Sequence, residues 1–405
     1  MIKFSARKNL MYYLLLVLTN IVRRIILMIT DSYYPESISV FYNILMFFGE
    51  MSSGIIIHMY QEKSTKKKII NEKIYSIIAK KYKNFRTDSK LKIYSLLAMS
   101  SFFDFTEMYI SYLYIPKLTY ISASLEDRLC GSLIIFNTLI YHYILKFPLF
   151  KHQIFSLIVI GSCLFIIIFS ECFFQKEMID ISIFKYVLLI IFTFFELFFV
   201  SMMDSVDKYL MEFNSINPCI IIIFEGLFGT IYSLISFFDM DLKAKMKFVI
   251  NEAKGNSLGL FIFLLFIIYA LSGITNIYRV YTNKVYNPMT ESLAYYCLNP
   301  FYIIYDFFSG NDFIIRGEKN YFYFVLNLIL SIIISLTGFI FNEFIVVFCC
   351  GLERETYQEI SRRSLNARLD HIELNKLLKD EDNEESENEN ETDEEKMKNT
   401  YTVYI

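Results

Sequence analysis

The stretch Met46-Phe47-Phe48-Gly49-Glu50-Met51-Ser52-Ser53-Gly54 sets a single carboxylate inside an apolar run that extends from 38 to 60. A helix needs roughly 20 mostly apolar residues to cross a bilayer, so the run is long enough to span one. A second stretch, Ile223-Phe224-Glu225-Gly226-Leu227-Phe228-Gly229, repeats the arrangement, again enclosing a Glu among aromatic and small residues. Reading outward from these two, hydropathy divides the chain into ten spans: 10–30, 38–60, 92–114, 119–145, 153–171, 183–203, 217–238, 257–280, 287–309 and 321–347. The two Glu-containing runs are then the second and the seventh. The fourth and ninth correspond too, through Tyr120-Ile121-Ser122-Ala123-Ser124-Leu125-Glu126 and Tyr286-Asn287-Pro288-Met289-Thr290-Glu291. Two halves of five spans each must be inverted relative to one another, the usual plan for alternating access. The expected fold is therefore all-α and integral to the membrane, with ten transmembrane helices in two inverted five-helix repeats.

Of the 405 residues 55% are hydrophobic and 20% are charged, with Phe 41, Tyr 31 and no Trp. Distribution matters more than these totals, because the charges crowd into residues 61–92 and 352–405. This pattern excludes a soluble enzyme, a nucleic-acid binder and a secreted disulfide scaffold. The seven cysteines form no Cys-x-x-Cys or Cys/His cluster, and none of the four histidines has a ligand partner at helical spacing. No metal, no cofactor and no enzymatic activity is expected. Lys3, Arg7 and Lys8 precede the first run like a signal peptide. The run lacks a small-residue cleavage site and continues past Arg23 and Arg24, so it reads as a retained helix.

Eleven Lys and Arg residues fall within 61–92. The positive-inside rule puts that loop, and with it both termini, in the cytosol. Lys243, Lys245, Lys247 and Lys254 are the exception on the opposite side. The organisation expected is an N-terminal repeat over 1–175, a C-terminal repeat over 176–350 and a cytosolic tail over 351–405. Within the tail, 352–376 has Arg and Leu at helical spacing. Residues from about 379 to 396 are nearly all acidic or polar and cannot bury enough apolar surface to fold.

The stretch from Phe41 to Gly54 resembles the second helix of drug/metabolite transporters, in particular subfamily F of solute carrier family 35. Phe103-Asp104 with Met108-Tyr109-Ile110 and Tyr112-Leu113-Tyr114 resembles the third helix of that group. Ala123-Ser124 with Gly131-Ser132-Leu133-Ile134-Ile135-Phe136 resembles its fourth, and Glu225-Gly226-Leu227-Phe228-Gly229 is the closest single match. The resemblance covers residues 10–345 and implies solute transport, in a group that includes nucleotide-sugar carriers and vacuolar drug-resistance transporters. It also implies that Asn20 and a downstream basic residue face the cavity. The relatives commonly carry an Arg just before the glycine of the fourth helix. Here that position is Cys130, and Arg128 lies two residues earlier, about 200° around a helix.

Ionisable side chains inside a membrane are expensive and mark functional cavities by default. The candidates for a substrate or coupling-ion cavity are Asn20, Arg24, Glu50, Asp104, Glu107, Glu126, Arg128, Glu225 and Glu291. Arg23 and Asp127 also fall within the spans, and Arg23 or Arg128 is the expected partner of the Asp104–Glu107 pair. Glu196 and Asp306 read as interfacial. The surplus of acids favours proton coupling or a cationic or zwitterionic solute over a diphosphate. The function expected is a secondary transporter of a small metabolite; the alternative is a membrane scaffold that recruits partners through its basic loop and acidic tail. Glu373-x-x-x-Leu377-Leu378 fits an acidic dileucine signal, pointing to endolysosomal, vacuolar or Golgi membranes ahead of the plasma membrane. The expected partners are a small solute, the lipid bilayer, an adaptor complex at the tail and a second copy of the chain, with no nucleic acid.

Overall fold

The computed structural model describes residues 7–34, 37–66, 88–111, 124–145, 149–178, 183–236, 240–309, 313–315, 318–348, 351–352, 356 and 359. The sorting-signal candidates Glu373, Leu377 and Leu378, the predicted tail helix beyond 359 and most of the basic loop lie outside them. Residues 1–345 form one compact unit and residues 346–405 a second.

The first unit is built of helices: α1 (Arg7–Tyr33), α2 (Ser37–Lys66), α3 (Lys90–Tyr109), α4 (Ser124–Leu129), α5 (Ser132–Leu145), α6 (Lys151–Met178), α7 (Ile183–Phe213), α8 (Pro218–Ser236), α9 (Met240–Asn256), α10 (Leu258–Val285), α11 (Pro288–Tyr296), α12 (Asn299–Ser309) and α13 (Tyr321–Phe341). A two-residue antiparallel ladder pairs β1 (Ile314–Ile315) with β2 (Glu318–Lys319). Among the described residues, six helices are long and apolar enough to cross a membrane, within α1, α6, α7, α8, α10 and α13. Their outward faces carry exposed Phe165, Phe169, Phe266 and Ile262, as helices surrounded by lipid do. These features are consistent with an integral membrane protein.

The fourth and ninth expected spans are each broken in two. The chain turns at Cys130-Gly131 between α4 and α5, and at Cys297-Leu298 between α11 and α12. Pro300 accounts for the second break, since its ring removes one helical hydrogen bond and crowds the preceding turn. Asn287 caps α11, its side chain accepting from the Thr290 amide at 2.7 Å. Four helices outrun their hydropathy spans by five residues or more: α2 continues from 60 to Lys66, α6 from 171 to Met178, α7 from 203 to Phe213 and α10 from 280 to Val285. In α7 the residues that lowered the hydropathy, Asp204, Asp207 and Lys208, are buried and bonded. The lysine-containing stretch expected as an outside loop forms α9.

Helix packing crosses between the two expected halves. α2 packs on α8 and α10, α3 on α7 and α8, α1 on α10, and α6 on α13. Without a hydrophobic force between helices in lipid, close backbone approach does the work, and small residues permit it. Gly226 of α8 lies against the backbone of Phe47 and Met51 on α2, and Gly49 of α2 against the backbone of Tyr269 and Gly273 on α10. The glycines of the two Glu-containing stretches are thus the contact points of the helices that carry them.

Candidate functional site

A cavity of about 190 Å³ lies among α1, α3, α4, α7, α10, α11 and α12. Six of the sequence candidates line it: Asn20 and Arg24 from α1, Asp104 and Glu107 from α3, Glu126 from α4 and Glu291 from α11. Arg23, Asp127, Glu196 and Arg279 complete the charged part of the wall, and Tyr295, Tyr296 and Tyr302 its aromatic part. Glu196 belongs to the wall and is buried, whereas its position in the sequence suggested an interface.

Arg24 is held at the wall by a two-pronged ion pair with Asp127, and its guanidinium lies 4.4 Å from the centre of the Tyr302 ring. Planar guanidinium groups favour this combination of carboxylate fork and aromatic face. Cys130 also lines the cavity, while Arg128 points away from it. Arg128 pairs with Glu171 of α6, donates to the Tyr323 hydroxyl at 2.7 Å, and sits 4.8 Å from the centre of the Phe313 ring. The rotation between positions 128 and 130 separates a cavity residue from one that ties α4 to α6 and α13. Arg24 meets Asp127 directly and also lies near Glu126, Arg128 meets Glu171, and Arg23 lies near the Asp104–Glu107 pair.

Glu50 and Glu225 are fully buried but stand behind the wall. The close helix contacts at Gly49 and Gly226 draw both carboxyls into the seam between α2, α8 and α10. Neither oxygen of Glu50 has a hydrogen-bond partner. Glu225 accepts from Arg279 at 2.9 Å and from Ser100 at 3.0 Å.

Arg279 is the centre of a network that hydropathy did not reveal. Its guanidinium contacts Asp204 at 3.0 Å, Glu225 at 2.9 Å and Asp207 at 3.8 Å, and its Nε donates to Asn276 at 3.0 Å. Asn283 donates to the Asp204 carbonyl at 2.8 Å. Asn276, Arg279 and Asn283 recur at three and four residues, which puts them on one helix face. That spacing, with Asp204, Asp207 and Lys208 just beyond an apolar run, was the available signal. Lys208 is buried and donates to the carbonyls of Asn283 and Tyr286 at 2.8 Å each, with Glu212 at 3.0 Å. It satisfies the otherwise open carbonyls at the end of α10, where a cation is also favoured by the helix dipole.

Carboxyls also face each other. Glu126 and Glu196, Asp204 and Glu291, and Asp207 and Glu225 come within hydrogen-bonding reach of one another. Among the described residues, no donor lies within hydrogen-bond distance of either oxygen of Glu196 or of Glu291. Ahead of α3, Asp88 accepts from Lys92 at 2.7 Å, Tyr209 at 2.9 Å and Asn214 at 3.2 Å. These bonds, the lysine's foremost, hold the Asp88 carboxyl below its ordinary pKa.

The cavity can therefore accommodate a small solute, surround it with acids and hydroxyls, and lie against a dense ionic seam. No family model matches the chain, and no curated protein matches it.

Proposed function

We propose that the protein is a secondary transporter that carries a small metabolite by alternating access, with protons as the coupling ion. The observation that carries this reading is the central cavity, lined by six carboxylates and three arginines from helices of both halves. A membrane scaffold has no use for such a cavity, and ionisable groups gathered around one inside a membrane mark a functional site by default. The surplus of acids supports proton coupling, because a buried carboxylate without a cation partner is held most cheaply as the neutral acid.

Helix partnerships support the reading of ten segments in two inverted fives. If α4–α5 and α11–α12 each count as one broken segment, and α9 as an addition, the segments number ten. Exchanging each segment for the one five places on turns the α2–α10 contact into α8–α3, and the α1–α10 contact into α7–α3. The α2–α8 and α6–α13 contacts map onto themselves. Both broken segments contribute to the cavity, as discontinuous helices do in transporters built from inverted repeats.

Uptake into proteoliposomes, with and without an inward proton gradient, tests the proposal. The expected result is solute accumulation that the gradient drives and that a protonophore abolishes. Passive leakage alone, across a broad solute panel, would overturn it.

A further inference from the structure

The transport reading leaves the solute unnamed, and the inference that follows rests on that reading. A volume of about 190 Å³ is the room of roughly six liquid water molecules. It falls below the roughly 300 Å³ at which drug-sized pockets begin, which favours a solute smaller than a nucleotide sugar. The wall also has the wrong sign for a diphosphate. Arg24 is engaged by Asp127, and Arg279 by Asp204 and Glu225. Among the described residues, Glu196, 1% exposed, keeps two oxygens in the wall with no donor within hydrogen-bond distance, and the Glu126 carboxyl opposite receives the Ser111 hydroxyl at 3.3 Å. Asn20, 5% exposed and also in the wall, leaves both its amide oxygen and its amide nitrogen without a partner. Leu133, Leu197 and Val200 supply an apolar flank.

We propose that the solute is a small organic cation, a protonated amine of no more than amino-acid size, whose ammonium group binds between Glu126 and Glu196 in place of a proton those carboxyls share. An ammonium offers up to three donors where the described residues offer these carboxyls only the Ser111 hydroxyl, and it satisfies both acids at once. The Asn20 amide supplies a further donor and acceptor for a hydroxyl or carbonyl on the same solute. The charged and titratable groups facing the pair are Asp127 and Cys130 on its own segment, Arg24 from α1 and Glu107 from α3, with Arg23 and Tyr302 elsewhere on the same wall. With Arg24 bound to Asp127, this surrounding remains acidic. Entry of the cation releases one proton, so binding weakens as the pH falls.

The test uses the full chain purified in detergent, titrated calorimetrically with ethanolamine, ethylamine and putrescine, all protonated amines at neutral pH. Ethylene glycol serves as the neutral control and uridine diphosphate glucose as the anionic one. Repeating each titration in buffers of different ionisation heat counts the protons released. At least one cation should bind with proton release. Glu196→Gln should weaken that binding by more than about tenfold, the scale set by losing one member of a buried charge pair, and should abolish the release. Glu126→Gln provides a second variant, and elution as a single symmetric peak shows that each is folded. If neither variant folds, proton release by the parent decides. The proposal is overturned if no cation binds, if uridine diphosphate glucose binds instead, if cations bind the parent without proton release, or if both folded variants bind like the parent. A cation that binds but is not accumulated by proteoliposomes removes the transport reading and leaves the site standing. Accumulation of the nucleotide sugar does the reverse.

Discussion

The guanidinium of Arg279 on α10 lies 2.9 Å from the carboxylate of Glu225 on α8, both of them buried. One cation is thereby shared among acids from two helices, since Asp204 and Asp207 of α7 meet the same group. Removing it would strand three carboxylates. Arg279→Leu is expected to destabilise the fold by about 3–5 kcal/mol, the usual result of breaking a buried ion pair from one side. Arg279→Lys should fall between, because an ammonium keeps the charge but loses the planar fork. Thermal unfolding of the detergent-purified protein measures both, and an unchanged midpoint for the leucine variant would contradict the network.

Lys208 acts at a helix end. Lys208→Met keeps the length of the side chain but leaves the carbonyls of Asn283 and Tyr286 without their donor. A loss of about 1–3 kcal/mol is expected for the unsatisfied groups. Hydrogen exchange should show the last turn of α10 opening more often while the middle of the helix stays protected.

The glycine contacts make a sharp pair of predictions. A methyl group at Gly226 would run into the backbone of Met51 and Phe47, which no side-chain movement relieves. Gly226→Ala should therefore lower the yield of folded protein. At Gly259 nothing lies within 4 Å, and Gly259→Ala should be neutral or slightly stabilising. Fluorescence-detected size exclusion compares the two, and equal behaviour would contradict the packing.

Acid should act on Asp88. Its carboxyl is held below the ordinary value, so the stability it contributes is present above the unfolded value of about 3.9 and is lost as the pH falls through the lower folded value. Asp88→Asn should flatten the fall in melting temperature below about pH 4 and lower the plateau above it. A parallel shift of the whole curve would assign Asp88 no linkage.

Topology is open to a direct measurement. If the segments number ten, as proposed, the basic loop within 61–92 puts both termini on the cytosolic side. Protease treatment of sealed vesicles should remove N- and C-terminal tags together, and protection of one alone would require an odd number of crossings.

Hydropathy located every long helix of the first unit, because each has a lipid-facing side rich in Ile and Phe. It misplaced the end of α7, where Asp204, Asp207 and Lys208 lowered the average. A window of summed transfer energies treats each charge as exposed and does not register that Arg279 and Asp204 neutralise one another. The same blindness cast Glu196 as interfacial. Asn20, Asp104, Glu107, Glu126 and Glu291 were legible because each is an isolated polar residue in an apolar setting. The burial of Glu50 and Glu225 behind the wall was not legible, since it follows from how closely α2, α8 and α10 approach. That distance is set by glycines on three different helices.

The seam of α2 with α8 has a consequence during synthesis. The end of α8 at Ser236 is made 170 residues after the end of α2 at Lys66. At about 5–20 residues per second, that interval is roughly ten to thirty seconds. Throughout it, the carboxyl of Glu50 and the polar face around Gly49 and Ser52 have no helix to meet. α2 is not among the six helices apolar enough to settle in lipid alone. The nascent chain must therefore keep α2 beside the insertion machinery, or in the company of α1, until α8 and α10 arrive. The first half is thus an unfinished folding unit that awaits the second, and a chain truncated between them should be degraded rather than accumulate.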